Sequence, residues 1–148
     1  MKKAGRSNPG SAALRLYTHL MRAANAVTER MHRHLAEEKL SLNQFGVLEA
    51  LYHLGPLCQK DIGHKILKTS GNITLVVDNL EKRKFVRRET DHRDRRKMRV
   101  KLTDTGRDLI QRIFPGHAKG ALAVFSVLSA EERHALGKLL KKLGTTGE

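Results

Sequence analysis

The chain has 148 residues and carries 29 Lys and Arg against 15 Asp and Glu, a formal charge of +14. This length builds one domain with its own core, and the single cysteine, Cys58, excludes an internal disulfide framework and is compatible with a reducing cytosol. No apolar run approaches the ~20 residues of a membrane helix, no cleavable apolar segment follows the basic start, and the charge suits a polyanionic partner, so the chain reads as cytoplasmic with no membrane association.

Residues 1–10 are polar, with Gly5, Pro9 and Gly10, and read as a flexible arm. Over 11–38, Leu14, Tyr17, Leu20, Met21, Ala24, Val27, Met31 and Leu35 recur at steps of three and four. That spacing predicts a helix of roughly 40 Å at ~1.5 Å per residue, more than so small a chain can cover alone, which points to a partner subunit. Ser41 and Gln44 have capping-box spacing, with Leu40 and Phe45 placed as a hydrophobic staple. A second helix is expected over 42–53, with Phe45, Leu48, Leu51 and Tyr52 near one face, and Gly55-Pro56 stops it. A third helix, about 59–66, buries Ile62 and Ile66. Its cap position is Cys58, a weak cap, which Asp61 in the first turn offsets through the helix dipole.

The fourth helix begins at Thr69 or Ser70 and runs to about Lys84. Its β-branched residues leave a strand as the local alternative. A strand would divide Ile73 and Val77 from Val76 and Leu80, whereas the helical period groups all four as one buried stripe, and the helix is preferred. Val86-Arg87-Arg88-Glu89 and the alternating Met98-Arg99-Val100-Lys101-Leu102 read as two strands joined by a charged loop, a hairpin wing. Thr103 can cap a fifth helix carrying Leu109, Ile110 and Ile113, then Leu122, Phe125 and Leu128, which Pro115-Gly116 is expected to bend or interrupt. Ser129 and Glu132 repeat the capping-box spacing before a last helix with Leu136, Leu139, Leu140 and Leu143, ending in a Gly-Thr-Thr-Gly tail. The fold class is mainly α (α+β): a winged helix-turn-helix region at 39–103 between a long helix at 11–38 and helices at 104–148.

The charge is concentrated. Residues 59–103 hold 14 basic and six acidic side chains, a net of +8, while 39–58 carry no net charge. Ordinary solvated surface is the plain reading of such runs, but it does not explain why the excess coincides with a helix, turn, helix, wing order. That order suits double-stranded DNA: the exposed second helix of the pair can enter the major groove. Its first turn offers free amides and a favourable dipole to phosphate, and Ser70 and Gly71 allow close approach. Asn72, Thr74 and Leu75 point away from the buried stripe; Asn can read adenine and Leu75 can touch a thymine methyl, with capping for Asn72 and residual core for Leu75 as alternatives. Arg93, Arg95, Arg96 and Lys97 stand at the wing tip, where arginine can follow a narrow minor groove. Asp91 and Asp94 can orient those arginines or fix the turn. Lys68, Lys82, Arg83, Arg87 and Arg88 are assigned to phosphate contacts.

Six stretches, in this order, resemble the multiple-antibiotic-resistance regulator (MarR) family: Leu-Ser-Leu-Asn-Gln-Phe-Gly-Val-Leu at 40–48, Gln-Lys-Asp-Ile-Gly at 59–63, Leu-Lys-Thr-Ser-Gly-Asn-Ile-Thr at 67–74, Val-Asp-Asn-Leu-Glu-Lys-Arg at 77–83, Asp-His-Arg-Asp-Arg-Arg at 91–96 and Val-Lys-Leu-Thr-Asp-Thr-Gly at 100–106. The resemblance implies a homodimeric winged-helix regulator, usually a repressor on a palindromic operator, with the first, fifth and sixth helices for dimerisation. It puts the family's wing Asp and Arg on Asp94 and Arg96. It also implies release by a small aromatic or lipophilic acid, for which Tyr17, Met21, Met31, Phe45, Leu48 and Ile113 are candidate lining residues. Two departures stand out. Lys84 occupies the turn position where relatives carry glycine, so it must adopt a left-handed conformation or alter the turn, and Leu75 stands where relatives are often basic.

Cys58 is a candidate thiol switch, although the cysteine of peroxide-sensing relatives lies early in the first helix, where this chain has none. The eight histidines are scattered, with His32 and His34 two apart, and form no metal site by spacing. No phosphate loop, HExxH motif or catalytic triad is present, so neither an enzyme nor a cofactor is expected. The function expected is a dimeric, ligand-released repressor; a thiol-responsive repressor and a non-specific architectural nucleic-acid-binding protein are the alternatives.

Overall fold

The structure is a computed structural model and describes residues 8–66 and 70–145, with backbone alone at 70 and 71. Six helices and three short strands follow in the order α1 (Pro9–Ala36), α2 (Leu42–Leu54), β1 (Leu57–Cys58), α3 (Gln59–Lys65), α4 (Ser70–Lys82), β2 (Val86–Thr90), β3 (Met98–Leu102), α5 (Asp104–Phe125) and α6 (Ala130–Thr145). They form two compact units, His32–Leu122 and the residues on either side of it.

The central unit is built around one apolar cluster. Phe45, Val47, Leu48 and Leu51 of α2, Ile62 of α3, Ile73, Val77 and Leu80 of α4, and Val86 and Val100 of the sheet are all essentially inaccessible to solvent. Each such side chain contributes about 1.5–3 kcal/mol relative to exposure. The Ser41 capping box is formed: Gln44 N donates to Ser41 Oγ (3.1 Å) and Ser41 N to Gln44 Oε1 (3.0 Å). Leu40 and Phe45, at the staple positions, are both buried in the cluster. In α4 the four residues of the stripe are buried together while Leu75 is 58% exposed, so the helical period prevails over β propensity.

The sheet has strand order β1-β3-β2 and is antiparallel throughout. β1 is a two-residue strand pairing Leu57 with Val100 and Cys58 with Arg99, too short to announce itself by periodicity. β2 and β3 pair from Val86–Leu102 to Thr90–Met98 and form the wing.

Between α4 and β2 the chain makes a Schellman turn. Phe85 N donates to Leu80 O (3.0 Å) and Lys84 N to Glu81 O (2.9 Å), and Lys84 takes φ +63°. The sequence allowed either a left-handed lysine or a different turn, and the lysine is left-handed. The end of α1 repeats the arrangement at Lys39 (φ +53°), with Leu40 N donating to Leu35 O. Thr103 Oγ1 donates to Lys84 O (2.6 Å) and accepts from Gly106 N (3.0 Å), joining this turn to the start of α5.

Two boundaries differ from the sequence reading. α1 begins at Pro9, inside the stretch read as an arm: Asn8 caps it, accepting from Gly10 N through Oδ1 (3.1 Å), and Pro9 takes the first helical position, where its missing N–H costs nothing. α5 runs unbroken through Pro115.

The flanking unit contains α6, capped by Ser129 and Glu132 as expected (Glu132 N to Ser129 Oγ, 3.1 Å; Ser129 N to Glu132 Oε2, 2.8 Å). No residue of α6 is buried, and Leu14, Leu16, Tyr17 and Met21 of α1 are exposed. Among the described residues no single helix is long and apolar enough to cross a membrane.

Candidate nucleic-acid interface

The face of α4 opposite its buried stripe presents Asn72, Thr74 and Leu75 to solvent. Leu75 is therefore not residual core, and an exposed leucine between polar neighbours on a helix of this kind suits contact with a base methyl. Thr74 is held from behind, its Oγ1 accepting from Gln59 Nε2 of α3 at 2.6 Å. The backbone at Ser70 and Gly71 opens α4, the Ser70 side chain and Lys68 lying outside the described residues.

Two arginines assigned to phosphate are engaged within the protein. Arg88, with its side chain 22% exposed, places Nη1 on Glu81 Oε1 (2.9 Å) and Nη2 on Asp78 Oδ1 (2.6 Å), while its backbone N–H donates to Glu81 Oε2 (3.0 Å). It ties β2 to α4 instead of facing solvent. Arg83 donates to the carbonyls of Lys39 (2.8 Å) and Glu38 (2.9 Å), serving the end of α1, and lies over the Phe85 ring. Sequence shows the basic charge of these residues but not the carboxylates and carbonyls that the fold brings to them. The signal within reach was Asp78 and Glu81, two acids three apart on one helix face in an otherwise basic segment. Lys82 remains exposed, and the exposed Arg87 pairs with Glu89 (2.7 Å).

At the wing tip the two aspartates organise the backbone. Asp91 Oδ1 accepts from Arg93 N (2.7 Å) and Asp94 N (3.3 Å), and Oδ2 pairs with Arg99 (2.7 Å). These amide bonds, Arg93 first, with the neighbouring guanidinium groups, hold the Asp91 carboxyl below its ordinary pKa. Asp94 Oδ1 accepts from both Arg96 N (3.1 Å) and Arg96 Nε (3.2 Å), aiming a guanidinium whose side chain is 92% exposed. Arg93, Arg95 and Lys97 are exposed beside it.

The MarR family profile matches residues 40–98, the stretch from α2 to the first residue of β3. The HTH-type transcriptional regulators YkoM and MhqR of Bacillus subtilis are 40% and 39% identical to the chain over 132 residues. Each alignment covers 89% of this chain, with 86% of YkoM and 91% of MhqR. The chain belongs to the MarR family. Its fold matches that of Bordetella bronchiseptica BpsR, whose DNA binding is regulated by 6-hydroxynicotinic acid, with a TM-score of 0.81 and 26% identity over 99% of both chains. This MarR-family chain is thus a DNA-binding transcriptional regulator, not an enzyme.

The remaining candidates of this MarR-family protein separate by position. Cys58 caps α3 without a side-chain capping bond; its Sγ instead donates to Asp61 Oδ2 at 2.7 Å. That bond first, then burial and the carboxylate charge, raises the thiol pKa above its ordinary value, opposite to the activation a thiol switch needs. Of the expected ligand-lining residues, Phe45 borders a cavity of about 430 Å³ together with Leu54, Ile66, His53, Lys65 and His117. Leu48 and Ile113 do not line it. Both are buried in the core cluster. Tyr17 and Met21 are exposed on α1, and Met31 is half-buried there. Sequence missed the contact of His34 Nε2 with His117 Nδ1 (3.0 Å), because 83 residues separate the two.

Proposed function

We propose that the protein is a homodimeric, sequence-specific repressor acting in the cytoplasm, with α4 reading the major groove and Arg96 entering the minor groove. The observation that carries this reading is the pairing of Asp94 with Arg96: a nearly fully exposed guanidinium held in one direction serves a defined groove contact better than a diffuse attraction to phosphate. Ser70, Gly71, Asn72, Thr74 and Leu75 form the reading turn, and Arg93, Arg95, Lys97, Lys82, Lys68 and Arg87 supply phosphate contacts. Two recognition helices must lie roughly 34–36 Å apart to meet successive half-sites. The uncovered apolar residues of α1 and α6 support a second copy as the means of holding them there.

Footprinting on the gene's upstream region should show a protected palindrome, and affinity for it should exceed that for scrambled duplex at physiological salt. Equal affinity would leave only an architectural role.

The regulation of BpsR by an aromatic acid supports a releasing ligand of that class here. The cavity beside Phe45 offers apolar walls with Lys65, His53 and His117 as donors to a carboxylate, and Glu49 on the same lining limits the charge it favours. A releasing acid must bind the free protein more tightly than the DNA complex. Calorimetry giving equal affinity for both would remove it as inducer. Release by oxidant that is abolished in Cys58→Ser would replace this reading with the thiol one.

A further inference from the structure

We propose that Arg83 fastens the end of the recognition helix to the end of α1 and so sets the half-site spacing that the dimer accepts. This rests on the dimeric reading with α4 in the major groove. Arg83 directly follows the last residue of α4, and its backbone N–H still donates to Asn79 O (3.1 Å). Its guanidinium reaches far back along the chain: Nη1 donates to Lys39 O (2.8 Å) and Nη2 to Glu38 O (2.9 Å). These are successive carbonyls in the turn that closes α1, where Lys39 is left-handed. A planar fork with its two arms on neighbouring carbonyls fixes direction as well as distance. The Phe85 ring backs it, its centroid 4.9 Å from the guanidinium carbon. The same turn is held from a third side, because the Glu38 carboxylate pairs with both terminal nitrogens of Arg112 on α5.

Apolar packing already brings these parts together, with Leu35 and Leu40 in the same buried cluster as Leu80. Such burial is non-directional: it keeps surfaces close and tolerates small rotations. The arginine fork supplies the direction. α1 runs without a break from this turn out of the central unit, and its exposed apolar residues are those assigned to the dimer. The angle between α4 and the last turn of α1 therefore enters twice, once per protomer, into the separation of the two recognition helices. One added base pair turns a half-site by about 35° and moves it ~3.4 Å, so a small change in that angle is read as a change in tolerated spacing. Arg83 is a positioning residue, acting on DNA choice through α4 and not by contact.

The test uses the full chain with four duplexes: the palindrome obtained by selection from random sequences, the same palindrome with one base pair added or removed at its centre, and an isolated half-site. The wild type should prefer the selected spacing by about tenfold, because a misfit span forfeits simultaneous engagement. Arg83→Met keeps a stem over Phe85 and removes every donor. It should cut that preference by about fivefold, the scale of one hydrogen bond, with half-site affinity and salt slope unchanged. Arg112→Met, at a side chain 62% exposed, loosens the same turn from α5 and should cut the preference in the same direction, which keeps the test open should Arg83→Met fold poorly. A lowered thermal midpoint with an intact spacing profile in both variants would make Arg83 a cap of α1 and nothing more, and would overturn the proposal. A weaker half-site with a salt slope reduced by about one and an intact profile would make it a phosphate contact, which overturns the proposal equally. A wild type indifferent to spacing would refute the dimeric reading itself, a failure distinct from that of Arg83.

Discussion

Arg96 and Arg88 carry the same charge eight residues apart, and their surroundings give them opposite work. Arg96 is almost fully exposed and is aimed by Asp94 alone, so Arg96→Ala should leave the thermal midpoint unchanged and cost about 1–3 kcal/mol of operator binding. Arg95→Ala is the comparison; a larger loss there, measured on the same operator, would move the groove contact to Arg95. Arg88 is clamped between two carboxylates, so Arg88→Met should lower folding stability by about 1–3 kcal/mol. The salt dependence of DNA binding should keep its slope, whereas loss of a true phosphate contact reduces that slope by about one. Urea melts and binding at several salt concentrations separate the two cases. Sequence made the wing tip legible because Asp94 and Arg96 are neighbours in the chain. It does not show the surroundings of Arg83 and Arg88, because their partners at Glu38, Lys39, Asp78 and Glu81 are delivered by tertiary packing.

The elements show the same division between local and long-range information. Both capping boxes form as the sequence spells them, since each is closed within four residues. Pro115 was expected to disturb α5, but Pro115 and Gln111, whose carbonyl loses its intrahelical partner, are both exposed, so water can serve that carbonyl and the helix continues. The Lys84 turn was legible as a departure from glycine, and its left-handed backbone carries a cost of about 1–2 kcal/mol. Lys84→Gly should recover up to about 1 kcal/mol of that in a urea melt, the rest being offset by greater freedom of the unfolded chain. Gly106 was recognised only as part of a motif. In the structure a Cβ there would lie 1.9 Å from Phe85 O, a backbone atom that cannot step aside. Gly106→Ala should therefore destabilise by about 3 kcal/mol or more, and a melt within 1 kcal/mol of the wild type would contradict that packing. The His34–His117 contact joins α1 to α5. Burial first, then the charges of His34 and His32, lowers the pKa of His117 below 6.5. As pH falls below 6.5 the unfolded chain takes up a proton that the folded chain refuses, so stability declines until the folded value is passed. Melts between pH 7.5 and 5 should show this decline, and His117→Gln should flatten it by less than one proton.

For the whole molecule, the decisive question is what covers α1 and α6. The core of the central unit draws only on residues 35–113, and every member of it is accounted for within that unit. In α6, by contrast, Leu139 and Leu143 are more than 60% exposed, as are Leu14, Leu16 and Tyr17 in α1. Burying such leucines gains about 1.5–3 kcal/mol each, and a stable interface covers about 1,200–2,000 Å² in all. A homodimer through these helices would cover those leucines and would supply the two-fold symmetry that a palindrome needs. Sedimentation at micromolar concentration should then give about twice the chain mass. Leu139→Glu with Leu143→Glu should give the chain mass, because each places a charge in the proposed interface without touching the core of the central unit. That variant should still bind a single half-site with the affinity of the wild type, since α4 and the wing are untouched, but it should lose the gain from joining two half-sites. A wild-type chain that sediments as a monomer, both free and on the palindrome, would refute the dimer. A double variant that stays dimeric would move the interface away from α6.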